Sequence, residues 1–254
     1  MKNIFHLFIP LFLLDLSLNG CRLLDSSESR LWLYSSSSGL QGPVDSLLTP
    51  ASFLELRPDG SYTQDFGRFD YGHWSLKNGK LYLTNQKNTT YVFRLKTLEE
   101  EKLDVVMGRG EIAHFTGMTS PFSAPEKDPF SLYNNQWRIP ATHKEADTVI
   151  RKRLFNHCGF WEAYFTWAVD KKITTIDVRQ MPTPLKIYQN GFGLKRYDDL
   201  PAEWKSYFFD DEDCHKADSL IKRTFRRNKI VWPDANDDYI KFISGFQQLE
   251  KFLR

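Results

Sequence analysis

Cysteine is scarce, with three in 254 residues. That excludes a disulfide-stapled scaffold, which needs a dense cysteine framework, so stability must come from a packed core. Neither sign of charge is in excess: 34 basic side chains face 32 acidic ones, for a net charge of +2. Phosphate binding needs a basic surplus on one face, so nucleic acid is excluded as the main partner. No His-x-x-x-His pair occurs among His6, His73, His114, His143, His157 and His215. The Gly-x-Ser-x-Gly elbow and the glycine-rich phosphate loop are missing too. The spacing of residues therefore nominates no catalytic residue, no metal site and no cofactor. It cannot exclude a serine–histidine–carboxylate group assembled from distant positions, because such a group leaves no local signature.

Other features are plentiful. Apolar residues make up 41% of the chain and charged ones 26%, which suits a globular protein with a sizeable core. Aromatic residues reach 15%, and rings mostly fill interiors. The length is enough for two ordinary domains or one large one.

The amino terminus has its own logic. Lys2 supplies a positive start, and Ile4 to Leu18 form an apolar run interrupted by Asp15. The run is shorter than the roughly 20 residues of a membrane-spanning helix, as signal peptides are. No later run is long enough to cross a bilayer. Leu18-Asn19-Gly20-Cys21 follows, and this segment resembles the lipobox of bacterial lipoproteins. The resemblance implies cleavage before Cys21, acylation of its sulfur and new amine, and attachment to a membrane, with the outer membrane of the cell envelope as the expected location. Several acyl chains anchor firmly where one alone would not. Residues 1–20 are thus read as a signal peptide and residues 21–29 as a lipidated tether. The eight residues from Arg22 to Ser29 span roughly 26 Å when extended.

From Leu31 to Phe115 the pattern is strand after strand. Phe53 to Arg57 alternates, Pro58-Asp59-Gly60 turns the chain, and Ser61 to Phe66 alternates again. Trp74 to Lys77 runs into Asn78-Gly79, the favoured pair for a two-residue hairpin loop, and returns as Lys80 to Thr84. Further strands are expected at Tyr91–Leu95, Lys102–Met107 and Ile112–Phe115. Short antiparallel strands at this spacing predict a meander that curls into a barrel or a tight sandwich. Trp32, the Phe53–Tyr62 segment, and Gly72-His73-Trp74-Ser75-Leu76 leading to Asn78-Gly79 resemble the lipocalin-like domains of bacterial lipoproteins. That resemblance implies an up-and-down barrel able to hold an apolar ligand. Alternation places Leu54, Leu56, Leu81, Leu83, Tyr91, Phe93 and Leu95 on one inward face. Trp74, Tyr91 and Phe93 are expected to plug the interior.

The fold class is therefore α+β: an antiparallel barrel or meander at residues 30–118, a proline-rich linker at 119–130, and a helix-rich α+β domain of unrecognised family at 131–254. Leu132 to Ile139 reads as one more strand, assigned to neither part. A helix is expected from Thr142, with Glu145 completing a capping box, and apolar residues recur at helical spacing from Ala146 to Ala168. Short strands are expected at Ile173–Val178 and Leu185–Tyr188. Helices are expected at Asp210–Arg227 and after Asn236 as cap.

Asp210-Asp211-Glu212-Asp213-Cys214-His215 has metal-ligand chemistry, but acidic residues cluster at helix starts, where free amides favour negative charge. Arg223, Arg226, Arg227 and Lys229 suit a helix C-terminus, or an anionic membrane surface. Trp204 to Phe209 is the densest aromatic segment and reads as core or domain interface, with a sugar or peptide surface as the alternative. Cys158 and Cys214 are left as a disulfide pair or as two buried fillers. The function expected is a lipid-anchored envelope protein, a non-enzymatic binding or assembly module with an envelope protein partner. A carrier of a small apolar ligand and an envelope hydrolase are the alternatives.

Overall fold

The computed structural model describes residues 29–39, 48, 51–107, 110–118, 122, 124–172, 188, 196–234 and 238–254. The expected signal peptide, Cys21 and the tether before Ser29 lie outside these residues. So do the strand expected at 173–178 and all of the second expected strand except Tyr188, which is helical. The chain forms two compact units, with the change between Pro121 and Phe122.

The first unit is a closed barrel of eight antiparallel strands in sequence order. They are β1 (Arg30–Ser38), β2 (Phe53–Leu56), β3 (Ser61–Asp65), β4 (Phe69–Lys77), β5 (Lys80–Asn85), β6 (Thr90–Leu98), β7 (Lys102–Val106) and β8 (Ile112–Gly117). The β4–β5 turn uses Asn78 and Gly79 at φ of 52° and 67°, the pair of positive φ values that matches the twist of a hairpin. The Pro58-Asp59-Gly60 turn is closed by the Gly60 amide on the Arg57 carbonyl and by the Ser61 amide on the Asp59 carboxylate. β8 returns to pair with β1, so no edge strand is left.

Alternation carries Trp32, Leu54, Leu56, Tyr62, Leu81, Leu83, Leu103, Val105, Ala113 and Phe115 inward, where all are buried in one cluster. Trp74, Phe93 and Leu95 are partly buried against that cluster. Tyr91 departs from expectation. It shares their strand face, but it is the second residue of β6 and 40% exposed. The rings that fill the interior are Trp32, Tyr62 and Phe115, with Phe66 packed 5.3 Å from Phe115 and 5.5 Å from Phe93. The Trp32 indole donates to the Glu99 carbonyl and the Trp74 indole to the Arg57 carbonyl, so neither buried N–H is wasted.

Two bulges break the alternation. Register shifts between Tyr34 and Ser36 in β1, and between Leu95 and Thr97 in β6. An extra residue reverses the facing of everything after it. Ser36 and Ser38 thereby turn outward while Ser37 faces in, bonded to the Tyr34 hydroxyl at 2.7 Å.

The second unit is helical: α1 (Asp147–Asp170), α2 (Ala202–Lys205), α3 (Asp211–Asn228) and α4 (Tyr239–Leu253). α1 is buried along two sides, through Ile150, Leu154, Cys158, Trp161 and Phe165 and through Phe160, Tyr164 and Trp167. Phe165 stacks on Phe242 of α4 at 5.0 Å. The acidic run is a helix start: the Asp210 carboxylate caps α3 by accepting from the Asp213 amide, with Asp211, Glu212 and Asp213 in the first turn.

Several expectations are corrected here. α1 starts at Asp147, not Thr142, and Glu145 instead grips the Arg153 guanidinium at 2.5 and 2.6 Å. α4 is capped by Asp238, whose carboxylate accepts from the Ile240 amide. Leu132 to Ile139 is not a strand but turns leading into a 3₁₀ helix at Gln136–Arg138. Asn134 and Asn135 decide this, because their side-chain amides bond to the carbonyls of Pro125, Glu126, Asp128, Pro129 and Ser131. Such local bonds compete with a strand ladder. Within the expected linker, Pro125, Glu126 and Lys127 are exposed, while Phe130 is buried, 5.1 Å from Phe160.

Between α1 and α4, burial and the neighbouring Glu162 carboxylate push Glu250 up to about 8, against a smaller downward pull from Arg254. A carboxyl raised in the folded state holds a proton that the unfolded chain releases, so stability falls as pH rises from the usual glutamate range toward 8. Buried His157 opposes this at low pH. Burial, then Arg138, holds it well below 6.5, so its contribution grows as pH rises and is complete by about that value. The window free of His157 is therefore about pH 7 to 8. There the thermal midpoint falls with pH in the native protein and stays level in Glu250→Gln. A second check concerns the barrel. Phe115→Ala costs about 3–5 kcal/mol in urea unfolding, whereas Tyr91→Ala costs less than about 1 kcal/mol; equal losses would contradict the assignment of the interior.

Candidate functional site

The outer wall of the barrel carries one connected polar group. Asp104 of β7 and His114 of β8 are direct cross-strand partners, each flanked by inward apolar residues and so facing out. The bulge in β1 brings Ser38 to the same face beside them. The Ser38 Oγ lies 2.6 Å from His114 Nε2, and His114 Nδ1 lies 2.7 Å from an Asp104 carboxylate oxygen. Lys102 Nζ stands 3.3 Å from the other Asp104 oxygen. The bulge in β6 turns Thr97 opposite Asp104, and its hydroxyl also bonds the carboxylate. The chain of contacts thus runs across four neighbouring strands, from β1 through β8 and β7 to β6.

Exposure is graded along this chain. Ser38 is exposed, the His114 side chain is 26% exposed, and the Asp104 side chain 3%. Burial pushes the Asp104 carboxyl up, but hydrogen bonds from His114, Thr97 and Lys102 outweigh it and hold it below the usual carboxylate range. An ionised Asp104 only accepts, so His114 Nδ1 must donate to it. In the neutral ring, Nε2 is then an acceptor for the Ser38 hydroxyl.

A second feature is an open groove of about 400 Å³ between α1 and α3. Ile150 and Leu220 line it, with Asp147, Arg151, Glu212, His215, Lys216 and Arg223 around them. Of its charged residues, Lys216 pairs with Asp213 at 2.9 Å and with Glu212 at 3.3 Å, and Glu212 also pairs with Lys144 at 2.6 Å.

A third is the buried cluster around Tyr188, whose hydroxyl lies 2.6 Å from His157 Nδ1 and 3.1 Å from the Cys158 sulfur. Burial drives His157 down and Tyr188 and the Cys158 thiol up. All three are held neutral, which suits packing and suppresses nucleophilic chemistry. Cys214 is buried likewise, and burial raises its thiol. The two cysteines are free, so the pairing considered from sequence is replaced by two separate fillers on α1 and α3.

Among the described residues, no three His, Cys, Asp or Glu side chains converge as a metal site, and no helix is long and apolar enough to cross a membrane. Of the aromatic segment, Trp204 and Phe208 are buried, while Phe209 is exposed. Of the basic cluster, Arg226 and Arg227 close the last turn of α3, and Arg223 lines the groove. Sequence patterns missed Ser38, Asp104 and His114. Alternation along the two segments that form β7 and β8 does place Asp104 and His114 on one face, but nothing local announces the bulge that delivers Ser38.

The chain is thus an α+β protein, an eight-stranded antiparallel barrel followed by a helical region. No family model, no curated protein and no solved structure matches it.

The thiol assignment is testable directly. Unfolding without reductant, followed by alkylation and peptide mapping, is expected to find both Cys158 and Cys214 alkylated. In the native protein both react slowly. A cross-linked Cys158–Cys214 peptide is the opposite result.

Proposed function

We propose that this protein is a cell-envelope lipoprotein, anchored to the outer membrane through acylated Cys21, with a lipocalin-like barrel that serves as a solid binding or assembly module rather than as a carrier. The observation that carries this reading is the filled interior. Trp32, Tyr62, Phe115, Leu54, Leu81 and Leu83 are buried together, and Phe66, Trp74 and Phe93 pack against them. An eight-stranded barrel is just wide enough either to be filled by side chains or to hold one small ligand. Rings of this size take the space that an acyl chain would need. Work then falls to the outer wall and to the helical unit. The Leu18-Asn19-Gly20-Cys21 segment supports the anchor, because a thiol at that place is the soft nucleophile that accepts a lipid. An envelope protein is the partner this reading favours.

Two measurements on the full chain test it. Metabolic labelling with a palmitate analogue is expected to tag the native protein and not Cys21→Ser; equal labelling of both removes the anchor. Titration of the purified protein with a fluorescent fatty acid is expected to give no saturable binding. A stoichiometric co-purified lipid in native mass spectrometry would make the barrel a container instead.

A further inference from the structure

We propose that Ser38 is an acyl-accepting nucleophile, activated by His114 and positioned through Asp104, so that the outer wall of the barrel carries a site for activated carboxylic esters. This goes beyond binding and assembly. Three independent observations lead to it.

The first is connectivity by atom. Ser38 Oγ meets His114 Nε2 at 2.6 Å, and the opposite ring nitrogen meets Asp104 at 2.7 Å. A serine hydroxyl is a weak nucleophile unless an adjacent base takes its proton, and a third group must hold that base in the right tautomer and orientation. All three roles are filled, each by a residue of the type the role needs.

The second is the graded burial. A carboxylate at 3% side-chain exposure orients an imidazole at 26%, which faces an exposed hydroxyl. A surface ladder built only for sheet stability has no need of that order. Here the charge is shielded and the reacting atom is open to a substrate.

The third is the backbone. Bulges in β1 and β6 are separate irregularities, yet both turn a hydroxyl onto the face that holds His114 and Asp104. Bulges concentrate beside active sites because they re-aim side chains. Ser38 also ends its strand. Gly39 follows at φ +138°, and a Cβ there would press on the Glu111 backbone at 3.0 Å. The positive φ and this close approach together favour glycine directly after Ser38.

The step balances without any further reagent. The Ser38 oxygen bonds to the ester carbonyl carbon as its proton passes to His114 Nε2. The carbon–oxygen bond to the alcohol breaks, and the departing alkoxide takes that proton. Water then repeats the sequence in reverse, releasing the carboxylic acid and restoring the Ser38 hydroxyl. Asp104 and Thr97 touch no reacting atom and are positioning residues.

The experiment uses the full chain and an alkyl fluorophosphonate, whose phosphorus takes the Ser38 oxygen as fluoride leaves. Intact mass and peptide mapping are expected to find one adduct, on Ser38. Ser38→Ala abolishes it, while Ser36→Ala, which alters the outward serine directly opposite His114, leaves the rate unchanged. His114→Gln and Asp104→Asn slow labelling by about 10²-fold or more, with thermal midpoints recorded for each. Hydrolysis of p-nitrophenyl acetate follows the same order, through kcat rather than KM. No adduct at Ser38 overturns the proposal. So does labelling spread evenly over several serines, or labelling at Ser38 that proceeds at the native rate in a folded His114→Gln protein. Should Asp104→Asn fail to fold, Ser38→Ala and His114→Gln decide the matter alone.

Discussion

The first unit depends on one constraint, the hydrogen-bonded pairing of β1 with β8 that closes the barrel. Closure removes the unpaired backbone of two edges, and it forces every strand to keep an inside and an outside. The apolar parity of each strand has meaning only because that inside exists. Trp32 on β1 and Phe115 on β8 become buried together through this pairing, and the Trp32 indole ties the closing strand to the Glu99 carbonyl in the β6–β7 turn. Without it, β1 would be an edge strand paired with β2 alone.

The same pairing is imperfect in one place, and the imperfection matters. A perfectly regular β1 would send Ser36 and Ser38 inward, next to apolar side chains, where a hydroxyl without a partner costs free energy. The bulge between Tyr34 and Ser36 exchanges the faces, leaving only Ser37 inside with a hydroxyl partner. The outward serine then joins His114 and Asp104. Polar satisfaction of the interior and assembly of the outer group are two results of one extra residue.

The helical unit is governed differently, by rings. His157 sits 4.5 Å from Trp137, 5.1 Å from Trp204 and 5.5 Å from Tyr188, a polar group enclosed by aromatic faces and edges. It stays neutral because burial disfavours its charge, and its one strong bond goes to the Tyr188 hydroxyl. Cys158 shares that hydroxyl, so a thiol that looked available for a bridge is occupied as a buried neighbour. Glu250 shows the cost of the same enclosure, since a carboxyl placed beside Glu162 under partial burial keeps its proton.

Much of this was legible in the sequence wherever the cause is local. Alternation marked the strands, Asn78-Gly79 and Pro58-Asp59-Gly60 marked turns whose φ values only such residues accept easily, and the acidic run at Asp210 marked a helix start. These rest on neighbours within a few residues, and so does the inward parity of Leu54, Leu81 and Leu83. What sequence reading placed wrongly depended on competition between local and distant partners. Glu145 left its expected cap for Arg153, and Asn134 and Asn135 spent their amides on carbonyls of the preceding loop rather than permitting a strand. Tertiary structure alone decided which rings fill the barrel, that Tyr91 stays exposed on the inward strand face, that the two cysteines are free, and that Ser38 meets His114 across 76 positions of chain. For Ser38 the reason is a one-residue bulge and the closing strand pairing, which set the face a side chain takes; for the rings and the thiols it is burial, and in each case the partners lie beyond any window of sequence.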